Sequence, residues 1–158
     1  MKNKLLILAT CVSLLFSFFA CREGEEYYTF QQIKNGLWEK KNTLSFQIDS
    51  LHTHPLKKYA VSIELTHNNL YPYQNLWLIV SSNFRDTLQR NDTVEIRLTD
   101  KKGNWLGKGA GGLRQLSTPY KETVQLDSQK TYTVSFRHFM KDETLNGIEK
   151  VGVKIMEQ

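Results

Sequence analysis

A chain of 158 residues, 40% hydrophobic and 23% charged, has room for one domain built on a single core. Its formal net charge of +5 comes from 21 basic and 16 acidic side chains, an excess too small to mark a nucleic-acid binder.

The N-terminus does not belong to that core. Lys2 and Lys4 precede an apolar run from Leu5 to Ala20, broken only by Thr10, Ser13 and Ser17. This is the charged start and apolar body of a signal peptide. The run falls short of the roughly 20 residues that an α-helix needs to cross a bilayer. It ends in Phe18-Phe19-Ala20-Cys21, which resembles a bacterial lipobox, where a small residue precedes a cysteine that is acylated before cleavage on its N-terminal side. Phe18 and Phe19 replace the leucine and the small residue usual at those places. Residues 1–20 are thus expected to be a lipoprotein signal peptide and Cys21 the lipidation site. The alternative is an ordinary cleaved leader that leaves Cys21 as a free thiol. Cys11 is discarded with the leader, so the mature chain has no intrachain disulfide. Loss of Lys2 and Lys4 leaves 19 basic against 16 acidic side chains, a net charge of +3. Acyl chains supply about 0.8 kcal/mol of membrane affinity per buried methylene, and two or three together hold a protein on a bilayer without further contact.

Residues 21–32 read as a lipidated tether, acidic at first (Glu23, Glu25, Glu26) and then aromatic (Tyr27, Tyr28, Phe30). The acidic stretch fits either a surface-export signal or a solvated linker. From there apolar residues recur with period two, the mark of strands with one face on a core. Leu44, Phe46 and Ile48 alternate with polar neighbours, as do Tyr59, Val61, Ile63 and Leu65, and His67-Asn68-Asn69 supplies a turn. Leu76 to Val80 is apolar throughout, which predicts a central strand covered on both faces. Val94, Ile96 and Leu98 alternate again, and Asp100-Lys101-Lys102-Gly103 predicts a hairpin turn before Trp105. Residues 123–126 and 131–140 continue the pattern, with Tyr132, Val134, Phe136 and His138 on one face, and Val151, Val153 and Ile155 close it. One short helix is expected at most, over residues 142–146. About eight strands without βαβ alternation predict an all-β fold: a two-sheet antiparallel β-sandwich, jelly-roll or immunoglobulin-like, over residues 33–158.

Three stretches carry a resemblance to a known family. They are Tyr71-Pro72-Tyr73-Gln74-Asn75-Leu76-Trp77-Leu78, Gly103-Asn104-Trp105-Leu106-Gly107-Lys108-Gly109 and Gly147-Ile148-Glu149-Lys150-Val151-Gly152. In their order and spacing, with the lipobox, the chain resembles the gliding-motility lipoprotein GldH family. The resemblance implies an outer-membrane lipoprotein of the gliding and associated secretion machinery, with envelope protein partners and no catalytic activity. Which face of the outer membrane it occupies stays open.

Tyr71, Tyr73, Asn75 and Trp105 suit a protein contact or a glycan-stacking surface. The competing expectation is that Tyr71 and Tyr73 pack at a sandwich corner and that Trp77 belongs to the core. Gly107, Gly109, Gly111 and Gly112 lack the Gly-Lys-Ser/Thr ending and following helix of a phosphate loop and suit a flexible or bulged connection. His52 and His54 have a metal-compatible spacing, with His67 and His138 as conceivable further ligands, but their polar, Pro-bounded segment reads as a solvated loop. No Gly-x-Ser-x-Gly turn or Cys/His pair is present. The expectation is no enzyme, metal, cofactor, nucleic acid or small-molecule substrate. The second reading is a surface lipoprotein with a glycan-binding sandwich.

Overall fold

The computed structural model describes residues 24–49, 56–84 and 89–158. Cys21 with its leader, and His52 with His54, lie outside the described residues. The first sheet holds β1 (Glu25–Gln32), β4 (Tyr59–His67), β7 (Arg114–Val124) and β10 (Ile148–Glu157), in the order β1-β10-β4-β7. The second holds β3 (Leu44–Ile48), β5 (Asn75–Ser82), β6 (Arg90–Arg97) and β8 (Tyr132–His138), in the order β3-β8-β5-β6. A two-stranded ribbon pairs β2 (Leu37–Glu39) with β9 (Thr144–Asn146). All of these pairings are antiparallel. The chain changes sheet between β3 and β4, β4 and β5, β6 and β7, and β7 and β8. That winding makes the sandwich a jelly roll.

Period-two alternation builds the core directly. Val61, Ile63 and Leu65 of β4 and Val151, Val153 and Ile155 of β10 are buried on one inner face. Leu76, Leu78 and Val80 of β5, Val134 and Phe136 of β8, and Phe46 of β3 are buried on the other. Phe46 and Phe136 meet edge to face across their strand pair, with ring centroids 5.7 Å apart. Each such side chain contributes about 1.5–3 kcal/mol by leaving water.

Several elements differ from expectation. Residues 25–32, read from the sequence as tether, form edge strand β1, because Tyr27 to Gln32 pair with Ile155 to Lys150 of β10. The acidic start suits a tether, yet a strand at a sheet edge tolerates polar residues on its outer face. Residues 142–146 form no helix: residues 144–146 are β9, drawn into the ribbon by burial of Leu145 opposite Trp38. The strand expected at residues 123–126 begins much earlier, at Arg114. Its alternation is faint because β7 is an edge strand, and it accommodates Pro119 opposite Ser62, beside a register shift. The turn at Asp100 closes a single bridge between Thr99 and Trp105. Finally, β5 is central in its sheet but covered on one face only, so Trp77 is not core and remains 37% exposed.

Candidate functional site

Strand polarity places the ends of β1, β4, β6 and β8 and the starts of β5, β7 and β10 at one end of the sandwich. Four of the sequence-derived site residues gather there. Tyr71 is only 2% exposed, and its hydroxyl donates to the Asn75 carbonyl at 2.8 Å. Tyr73 packs edge to face on Tyr71 at 5.8 Å and donates to Asp142 Oδ2 at 2.6 Å. Burial pushes the Tyr71 phenol up, and the bond to Asp142 does the same for Tyr73, so both keep their protons. Trp105 is partly buried against the core, its ring centroid 4.7 Å from that of His67. The series Tyr73, Tyr71, His67, Trp105 is therefore a packed corner, with Tyr71 closed to any ligand.

His67 and His138 are buried, and neither forms part of a metal site: no group of three or more His, Cys, Asp or Glu is placed to hold an ion among the described residues. Burial lowers the pKa of both rings, outweighing the backbone contacts to Asn68 and Trp38 that pull the other way. His138 stacks edge to face on Trp38 at 5.4 Å, as a neutral ring suits an apolar corner.

Asn75 points elsewhere. Its Nδ2 donates to Glu95 Oε1 at 2.7 Å, and both side chains line an open cleft of about 720 Å³ with Arg97, Thr99, Asp100 and Lys101. A neighbouring cleft of about 720 Å³ shares Arg97 and Leu106 with it and reaches Glu64, a 2% exposed carboxylate that accepts from Ser117 Oγ at 2.5 Å. No histidine lines either cleft, so neither pairs a hydroxyl nucleophile with an imidazole base.

Sequence reasoning missed the exposed aromatics. Trp77 pairs with Glu95 of β6, and its carbonyl accepts from Phe139 N at 2.7 Å, so Phe139 and Trp77 lie opposite each other. Their inward neighbours Leu78 and His138 face the core, which turns Trp77 and the 59% exposed Phe139 outward. Ile79, Arg137 and Thr93 make the next row. This aromatic pair with an arginine and a polar rim has the makeup of a protein-contact surface. Nothing in the unbroken apolar run of β5 signals which of its faces stays uncovered.

The glycines of the family-like stretches serve the backbone. Gly147 has φ +87°, and a Cβ there would stand 2.4 Å from Tyr71 N and 2.7 Å from Asn68 Oδ1. At Gly109 a Cβ would meet the Leu113 carbonyl at 2.0 Å, where residues 107–109 run against β7 and Lys108 bridges to Gln115. The glycine-rich stretch thus lies beside the start of β7, held there by the bridge between Lys108 and Gln115.

Residues 25–155 match the family described as GldH lipoprotein. The gliding motility lipoprotein GldH homolog of Christiangramia forsetii is 32% identical over 149 residues, covering 90% of this chain and 88% of that protein. Gliding motility lipoprotein GldH of Flavobacterium johnsoniae is 28% identical over 164 aligned residues, covering 99% and 98%. Among solved structures, the insecticidal delta-endotoxin Cry8Ea1 of Bacillus thuringiensis aligns over 81% of this chain and 20% of its own, at 11% identity and a TM-score of 0.40.

Proposed function

The chain belongs to the GldH lipoprotein family, and we propose that it works as a non-enzymatic component of the gliding-motility and associated protein-secretion machinery, anchored to the outer membrane through Cys21. It is a gliding-motility lipoprotein of the cell envelope, held there by lipid. The observation that supports the rest is how the family-like stretches are used: Gly147, Gly109, Tyr71 and Trp105 fit strands and turns to one another, and the imidazole they pack against, His67, is buried among them. What such a scaffold offers other molecules is surface. The outward Trp77 and Phe139, rimmed by Glu95 and Arg137, are the aromatics available to an envelope protein partner. The glycan-binding reading has less support, because Tyr71 is buried and Tyr73 is tied to Asp142.

The test is a gene deletion alongside chromosomal Cys21→Ala and Trp77→Ala/Phe139→Ala strains, each scored for colony spreading and for secreted protein. The deletion and the Cys21 variant are expected to lose both. The double aromatic variant is expected to remain folded and membrane-bound while losing function. Normal spreading and secretion in the first two strains would remove the proposal.

A further inference from the structure

We propose that the sandwich end carrying Gly24 rests on the bilayer through Leu56, Lys57 and Lys58, so that the lipidated domain stands in one orientation instead of swinging on its anchor. The inference rests on reading Cys21 as the acylated residue.

Chain length supplies the first constraint. Cys21 precedes Gly24 by three positions, and three residues reach at most about 10 Å. Gly24 is fixed to the domain, since its carbonyl accepts from Glu157 N at 2.7 Å and β1 begins at the next residue. An interfacial layer is about 5–8 Å thick on each side of the hydrocarbon. This end of the sandwich is therefore held against the headgroups.

Neighbouring residues suit that position. The Lys58 carbonyl accepts from Gln158 N at 2.9 Å, and the Lys57 ammonium pairs with the Glu157 carboxylate, which sets both lysines beside the strand end that holds Gly24. Leu56, directly before them, is 86% exposed, more than any other large apolar residue described. An unburied leucine beside the exposed Lys58 fits an interface, where the apolar side chain enters the acyl boundary and the long lysine stem keeps its ammonium group among phosphates, while Lys57 stays paired with Glu157. Glu25, Asp49 and Glu157 are acidic groups of the same end, so insertion of Leu56 carries more of the contact than charge does.

The opposite end is then held away from the membrane. The eight residues of β1 span about 26 Å at roughly 3.3 Å per residue, and Leu70, Trp105 and Phe139 lie beyond or near the far end of that span.

The experiment uses the acylated protein purified from membranes, with the Cys21 modification read by mass spectrometry. Leu56→Cys and Leu70→Cys variants are each labelled with an environment-sensitive fluorophore at the one free thiol. The labelled protein is reconstituted in phosphatidylethanolamine/phosphatidylglycerol vesicles with a nitroxide on the acyl chain. Both sites are exposed, so neither label disturbs the core. Blue-shifted emission and roughly threefold or stronger quenching at position 56 than at position 70 is the expected result. Equal, water-like signals from both labels on acylated protein would overturn the seating alone. An unmodified Cys21 removes the anchor and the seating with it.

Discussion

At the residue scale, glycines and tryptophans of the family-like stretches have separable roles. Gly147 and Gly103 share a left-handed φ, +87° and +85°, but only Gly147 is crowded by neighbouring atoms. Gly103→Ala is therefore expected to cost about 1 kcal/mol of backbone strain, and Gly147→Ala about 3 kcal/mol or more, since strain and steric overlap combine there. Urea unfolding midpoints of the two variants check this, and equal shifts would contradict the crowding. The positive φ at Gly147 was not readable from Gly147-Ile148-Glu149 itself. Nor was the crowding, because Asn68 and Tyr71, which occupy the space that a Cβ would fill, stand nearly eighty positions earlier.

At the scale of elements, β2 and β5 each carry a tryptophan with the opposite fate. Trp38 is fully buried, with Nε1 donating to the Asn42 carbonyl at 2.9 Å, although β2 is only three residues long. Trp38→Ala is expected to lose about 3–5 kcal/mol of stability. Trp77→Ala should cost about 1 kcal/mol or less while still reducing function. Thermal unfolding of both variants decides it, and a larger loss at Trp77 would return that residue to the core. Strands β3 and β8 were legible because each has a dry face and a wetter one, and β4 because its apolar residues alternate in the sequence even though Glu64 and Thr66 are buried too. Edge strands β1 and β7 were not, because polar residues and Pro119 are compatible with a strand that pairs on one side only. The ribbon of β2 and β9 was missed because three-residue strands are too short to show a period.

At the scale of the whole molecule, acid sensitivity follows from two buried histidines. His67 and His138 have folded-state pKa values held below 6.5 by burial, so the unfolded chain takes up protons near that pH before the folded one does. Stability is complete above pH 6.5 and falls as the pH drops through the interval down to the folded values. Melting temperature measured from pH 7.5 to pH 5 is expected to decline. His138→Phe, which keeps a ring against Trp38, should flatten part of that decline, and an unchanged slope would relieve His138 of the role. The amino-acid sequence by itself determined the all-β class, the strands that face a continuous core and the family resemblance, and it is the source of the expected leader and acylation site. Each is written in local order: a period of two, a charge followed by an apolar run, or a short motif. Only the tertiary structure decided the jelly-roll winding, the burial of Tyr71, the exposure of Trp77 and Phe139, and the conversion of residues 25–32 into a strand. Those depend on which distant segment lies beside a residue, and a pairing partner such as β10 for β1 leaves no trace in the neighbouring letters.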